Sequence, residues 1–250
     1  MEPTREVIAG VRAFAKMAGA VGVMLAAACS GAGLDSLPSA GSAVAVAAKD
    51  NGRVMLKDGR TVRLAGVQVA DEAVLNRIVA GQAVELLSVG ADTELVQLRL
   101  KRGRRWVQGE LLEAGVARVR TARGESALAE PMLTREARAR RAERGLWASR
   151  WRVLTATEAE DARGFQIVEG RVRTAKALRR GVFLDFGADW RRDVSVQVPE
   201  AALDSFAAAG HDVEALEGEM VRVRGRLQPT RNGPLITLDH PEALEHLQTD

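Results

Sequence analysis

The sequence predicts a mainly β protein with helices, an α+β chain in which a five-stranded barrel with packed helices is followed by a second small β-rich domain. Three observations predict it. Short β-branched runs alternate with turn residues from position 43 onward, amphipathic stretches of helical period interrupt and follow them, and a similar succession of strands around one helix starts again near Gly164. The 250 residues, 46% hydrophobic and 28% charged, suffice for one large core or two small ones and exclude a disordered chain. A formal net charge of +3, from 36 Lys and Arg against 33 Asp and Glu, allows local basic patches but not a uniformly DNA-coating surface.

Arg5, Arg12 and Lys16 precede the apolar run 17–28, which ends in small residues at Cys29, the single cysteine of the chain. A charged n-region, a short apolar h-region and small residues before a cut are the pattern of a secretory signal, and the run is too short to span a bilayer. One thiol forms no internal disulfide, so its position carries the information. Leu25-Ala-Ala-Ala-Cys29 resembles a lipobox, with Ala26 where leucine is commoner. The resemblance implies a lipoprotein signal peptide over 1–29, lipid attachment at Cys29 and an exported chain held in the cell envelope, facing the periplasm. Ser30, in place of a retention-type aspartate, favours the outer membrane over the inner one. A signal peptide without a lipid, or an amphipathic N-terminal helix, are the alternatives these residues leave open. Residues 30–42, rich in Gly, Ser, Ala and Pro, are expected to be a flexible tether.

Over 43–150 the elements follow in order. Val44-Ala-Val46, Val54-Met-Leu56 and Thr61-Val-Arg-Leu64, the last two joined by the turn Lys57-Asp-Gly-Arg60, form a meander. Val74, Ile78 and Val79 give 70–81 a helical period, and strands follow at 83–87 and 94–100. A second helix covers 108–114 and stops at Gly115, a residue suited to a helix end. A third covers 126–147, with Leu128, Met132 and Leu133 on or near one face and Arg138, Arg141 and Arg144 on another. Strands curled into a small barrel under packed helices are the OB-type architecture. In the second domain, 164–248, strands at 166–172, 182–186 and 194–198, a helix at 200–209 and strands at 220–227 and 235–238 have an order that also fits an OB-like barrel.

Three stretches resemble one family, the staphylococcal nuclease or thermonuclease family. Thr61-Val-Arg-Leu-Ala-Gly-Val-Gln-Val-Ala-Asp71 is similar to its strand Arg-Leu-x-Gly-Ile-Asp-x-Pro-Glu. Leu111-Leu-Glu-Ala-Gly-Val-Ala-Arg-Val119 is similar to Leu-x-x-Gly-Leu-Ala-Arg-Val, and 136–147 is similar to a closing helix that ends in Gly-Leu-Trp. They stand in the family's order between 44 and 148, and most of their residues are structural in type, so they speak for fold more than for activity. The resemblance implies calcium-assisted phosphodiester hydrolysis, with carboxylates on the ion, a glutamate at the attacking water and two arginines on the phosphate.

Carried over position by position, that apparatus is mostly lost. The first metal carboxylate aligns with Gly52 of Asn51-Gly-Arg53, with Asp50 two residues early. The second becomes Gln68, and the threonine beside it becomes Val69. Calcium prefers anionic oxygens, for which an amide and an isopropyl group are poor replacements. The family's proline becomes Ala70, and its glutamate becomes Asp71, one methylene shorter. Arg63 holds the place of the first phosphate arginine. The turn bearing the second is missing and Glu94 stands near its place, with Arg99, Arg102 and Arg104 as other candidates. The expectation is therefore no catalytic residue, with Arg63 and Asp71 as remnants that serve equally well as an ion pair or as barrel-rim residues, no metal, and no cofactor; calcium enters only on a nuclease reading.

Other chemistry has little to rest on. His211, His240 and His246 have no metal-ligand spacing, and His240-Pro241 reads as a turn; Ser195 and Ser205 fall in a strand and a helix without a partner histidine. Binding has more. Seven arginines against two glutamates crowd 135–152, and Arg138, Arg141 and Arg144 could meet a polyanion or remain a solvated helix face. Phe183, Phe186 and Trp190 precede Arg191 and Arg192, aromatic surfaces beside cations of the kind that hold single strands. Strand parity sends Phe183 and Phe186 to opposite faces, so at least one belongs to the core. The leading expectation is an envelope lipoprotein whose thermonuclease-like domain is an inactive binding or scaffold module for nucleic acid or another polyanion, with the membrane as partner through its lipid and no protein partner specified. A residual or altered nuclease, and a structural envelope lipoprotein without nucleic-acid affinity, are the alternatives.

Overall fold

A computed structural model describes residues 33–189 and 193–247. The protein is mixed α+β and mostly strand, with 15 strands and four α-helices among the described residues, and the chain from Gly31 onward is one compact unit. Its first half contains strands β1 (Ser39–Lys49), β2 (Arg53–Leu56), β3 (Thr61–Leu64), β4 (Val67–Val69), β5 (Ala83–Ser88), β6 (Leu95–Leu100) and β7 (Ala117–Val119), with helices α1 (Glu72–Val79), α2 (Val107–Glu113) and α3 (Ala129–Arg141). Five strands close a barrel in the order β1-β2-β3-β6-β5. The β3–β6 pair is parallel and the other pairs are antiparallel. Val54, Leu56, Val62 and Leu64 alternate inward with exposed Arg53, Thr61 and Arg63, the period of a strand with one buried face. The β4 and β7 strands form a separate two-stranded ribbon.

The β1 strand begins within the expected tether. Residues 39–44 pair with β5 and residues 45–49 with β2, with a register shift between Ala45 and Ala47, so one long strand serves both neighbours and closes the barrel. Leu34 and Leu37 pack against the core ahead of it. The tether reading thus fails for this part of 30–42, because backbone pairing and two leucines hold it down.

Asp71 caps α1, its Oδ1 accepting the Val74 N–H at 3.0 Å, and Leu75 and Val79 lie buried on the barrel. In α2, the buried Gln108 accepts the Leu98 N–H at 3.1 Å and donates to the Val96 carbonyl at 2.9 Å, so an amide side chain pairs with the β6 backbone. The predicted helix over 126–147 is three pieces: 3₁₀ turns at Ser126–Leu128 and Gly145–Ala148 flank α3. The chain breaks where Glu143 and Gly145 take positive φ of 48° and 55°. Gly145 lies against Gly115, and a Cβ on it would stand 2.5 Å from the Ala114 carbonyl. The buried residues of α3 are Ala129, Met132, Glu136 and Ala139, while Ala142 beyond its end is exposed.

The second half contains strands β8 (Leu154–Thr155), β9 (Gly164–Arg171), β10 (Thr174–Leu178), β11 (Gly181–Asp185), β12 (Ser195–Pro199), β13 (Met220–Thr230), β14 (Gly233–Thr237) and β15 (Leu244–His246), with helix α4 (Glu200–Ala208). It starts before Gly164, because β8 already pairs in parallel with β9. The sheet order is β10-β11-β12-β14-β13-β9-β8, with β15 on the β13 edge. Since β9 and β10 are separated by Val172 and Arg173 alone, they act as one bent strand, and the first barrel's pairing recurs: antiparallel, antiparallel, parallel, antiparallel, antiparallel. Val182, Leu184, Val196, Val198 and Ile236 fill its core with Phe206 of α4.

Side chains with no place in the core of either half join the two. Arg224 of β13 reaches Glu136 of α3 at 3.0 Å and Glu245 of β15 at 2.5 Å, and its side chain is 2% exposed. Glu136 Oε1 also accepts the Val119 N–H at 2.7 Å. Ala139, Trp147 and Ile167 form a small apolar cluster with Trp151 and Phe165, and His240 Nε2 meets Thr121 Oγ1 at 2.9 Å. Each of these contacts fixes the wall between the halves, where arginine and aromatic side chains meet.

Candidate functional site

The β4–β7 ribbon places the residues that matter most. Val67 and Val69 face the core on one strand and Ala117 and Val119 on the other, which turns Gln68 and Arg118 outward, directly opposite each other. Arg118 Nε donates to Gln68 Oε1 at 3.0 Å, and its Nη2 donates to the Phe165 carbonyl of β9 at 3.0 Å. Its guanidinium carbon lies 4.7 Å from the Phe165 ring centroid and 5.3 Å from that of Trp151, within cation–π range of both. Burial is the main cause that pulls the Arg118 pKa down to about 10; Glu136 opposes it, while Arg120, Arg224 and Arg150 add to it. The cation is desolvated among like charges, a setting that a bound anion would relieve.

Beside this pair opens a cleft of about 540 Å³, lined by Gln68 and Arg118 from the ribbon, Arg150, Trp151 and Arg152 from the connection, and Arg163 and Phe165 at the start of the second half. Two acids, Glu158 and Asp161, share the lining. Glu158 is engaged locally: it accepts the Thr155 N–H at 2.8 Å and pairs with Arg152 at 3.2 Å, and the Thr155 N–H is the leading cause that holds its carboxyl below the usual range. Arg163 donates to the Ala162 carbonyl at 2.7 Å. Four cations against two acids, one of them already paired, leave the cleft positive.

The positions carried over from the thermonuclease resemblance take structural duties. Gly52 is buried at φ +70°, where a Cβ would come within 3.2 Å of the Val69 side chain, so that position is held by backbone conformation and core packing. Val69 is core. Asp71 is the α1 cap described above. Arg63 is exposed on β3, 3.9 Å from Asp92, and its N–H donates to the Glu94 carbonyl at 2.7 Å. The ion pair of Arg63 is therefore with Asp92, and Glu94 meets it through backbone alone. Of the alternative arginines, Arg99 is buried against Glu85 at 2.7 Å and also pairs with Asp35, while Arg104 holds Asp35 at 2.7 Å. The calcium ion that the family would place here does not fit these donors. Gln68 offers a neutral oxygen already bonded to a guanidinium, Val69 offers none, and Asp71 is turned to its own helix.

The polyanion candidates are dispersed. Arg138, Arg141 and Arg144 are all exposed; Arg138 borders a separate cleft with Asp35, Trp106 and Glu130, and Arg144 donates to the Glu113 carbonyl at 3.4 Å. Arg140 of the same run turns inward toward Glu136 and lies over Trp147. Cys29, Trp190, Arg191 and Arg192 lie outside the described residues. Ser195 and Ser205 fall in a strand and a helix as expected, and His240 stands just ahead of the Pro241–Ala243 turn. Sequence reasoning missed Arg118 with its two aromatic partners, and Arg163. The one local signal was the ribbon register, legible once 67–69 and 117–119 are taken as paired strands. Comparison with protein-family models finds no match, and no curated protein matches the chain.

Proposed function

We propose that the chain is an envelope lipoprotein, held to the membrane through Cys29, whose first half is an OB-type, thermonuclease-like barrel that binds an anionic polymer and does not cleave it. The barrel assignment rests on the three family-like stretches together with the pairing order β1-β2-β3-β6-β5, parallel only between β3 and β6. The observation that carries the function is the Gln68–Arg118 bond. Where the family holds a metal carboxylate, this chain holds a neutral amide committed to a partly buried guanidinium, and the neighbouring cleft is lined with arginine. Such a surface repels a divalent cation and attracts the phosphates or sulfates of a polymer.

Binding of inorganic polyphosphate, a polyanion without bases, tests the reading on the full-length chain in detergent. Affinity is expected to fall steeply as salt rises, and the doubly substituted Arg150→Gln, Arg163→Gln chain to bind more weakly with a shallower salt dependence. Polyphosphate binding that ignores salt, or that the double substitution leaves intact, would remove the cleft from the account and favour a structural envelope role.

A further inference from the structure

The second half carries a surface of different chemistry. On β11, Val182 and Leu184 point into the core, so Phe183 points out; on β12, Val196 and Val198 point in, so Gln197 points out. The registers Lys176↔Phe183 and Phe183↔Gln197 put these three side chains in one row across β10, β11 and β12. Leu235 of β14 stands outward in the next row, opposite Ser195. A cleft of about 580 Å³ lies over this face, bounded at one end by Arg179 and Arg180 of the β10–β11 turn and at the other by Thr230 and Asn232 of the β13–β14 turn. Leu178, 59% exposed, extends its apolar floor.

The charges at this face are asymmetric in their engagement. The acid among its described lining residues, Asp185, is satisfied: Ser195 Oγ donates to it at 2.7 Å, Thr174 Oγ1 at 3.2 Å, and Lys176 stands 3.8 Å away. Arg179 and Arg180 form no ion pair with any described residue. Two guanidinium groups without an ion-pair partner among the described residues, at the rim of an aromatic and apolar floor, match a ligand with flat apolar units along an anionic backbone. A run of acidic residues alone lacks the regularly spaced stacking units, and a neutral glycan leaves the arginines without a partner.

We propose that this outward face binds a short single-stranded nucleic acid, one base stacking on Phe183 while Arg179 and Arg180 hold the flanking phosphates. The site lies on the second half and does not depend on the polyanion cleft between the halves. Stacking supplies sequence-tolerant affinity, and the arginines supply the salt dependence.

The test is fluorescence anisotropy of the full-length chain with a labelled oligothymidylate of about 15 nucleotides. Phe183→Ala is expected to weaken oligonucleotide binding about tenfold, with an unchanged salt slope and unchanged polyphosphate binding. Arg179→Gln with Arg180→Gln is expected to flatten the slope of log affinity against log salt by about 1.4, two phosphates at roughly 0.7 each. Phe183→Trp preserves a stacking ring, guards against a folding artefact, and should retain affinity with oligonucleotide-dependent quenching of the introduced indole. Arg60→Gln, in a distant hairpin, should change nothing. Absence of oligonucleotide binding, or binding indifferent to Phe183→Ala, overturns the proposal. Loss of oligonucleotide binding only on Arg150→Gln with Arg163→Gln would overturn it too, while leaving the reading of the other cleft standing.

Discussion

Arg224 and Glu136 form an ion pair at 3.0 Å in which both side chains are almost completely buried, one on β13 of the second half and the other on α3 of the first. A buried pair contributes little net stability over an apolar substitute, but removing one partner leaves a charge without compensation. Glu136 has a second task, accepting the Val119 N–H at the end of the β4–β7 ribbon. Glu136→Ala is therefore expected to cost about 3–5 kcal/mol in urea unfolding. Combining it with Arg224→Met should cost clearly less than the sum of the two single changes, and additive costs would mean that the pair does not act as one unit.

Acid should loosen the same joint. Burial alone would raise the Glu245 carboxyl, but Arg224, Arg222 and Arg140 outweigh it and hold it below its ordinary value of 4.5. A carboxyl depressed by folding binds fewer protons in the folded than in the unfolded chain. Its contribution is complete above that ordinary value and disappears as pH falls through the lower, folded one. Unfolding free energy measured by denaturant at falling pH should drop below about pH 4.5, and Glu245→Gln should flatten that drop. An equal acid response in the Glu245→Gln variant would contradict this.

Asp71 separates a structural from a catalytic role. As the cap of α1, it should tolerate Asn with a change within about 0.5 kcal/mol and lose about 1 kcal/mol on substitution by Ala. Thermal unfolding of the two variants measures this. If Asn were as costly as Ala, the charge rather than the cap geometry would be what the position requires.

The Gly115 and Gly145 contact anchors the end of α3. Both residues have positive φ, and a Cβ on Gly115 would collide with the Arg144 carbonyl. Gly145→Ala should destabilise the chain by more than about 1 kcal/mol, since it adds both backbone strain and a clash. A neutral substitution would show that the turn relaxes freely.

The residues that could be read from sequence are those whose partners are near or whose pattern is periodic. Val62 and Leu64 announced their strand by alternation, Gly115 announced a helix end, and the opposed parity of Phe183 and Phe186 put at least one of the two rings on the core, where Phe186 packs. The β10 strand escaped because Thr174–Leu178 shows no buried alternation at all. Glu136 looked like one more charge in an arginine-rich helix. Its reason is Arg224, 88 residues away, and no local pattern carries such a partner. Likewise, Gln68 drew notice only through the resemblance, and its bond to Arg118 required the register of two three-residue strands too short to show a period.

The most direct test of the account is cleavage of single-stranded DNA by the purified full-length chain, with calcium and with a chelator. With Gln68 bonded to Arg118, on the proposed reading no calcium-dependent cleavage above background is expected, and Arg63→Ala should change nothing. Calcium-dependent cleavage that Arg63→Ala abolishes would contradict the account, because it would mean that the site still assembles a metal and a phosphate clamp from residues assigned here to structure.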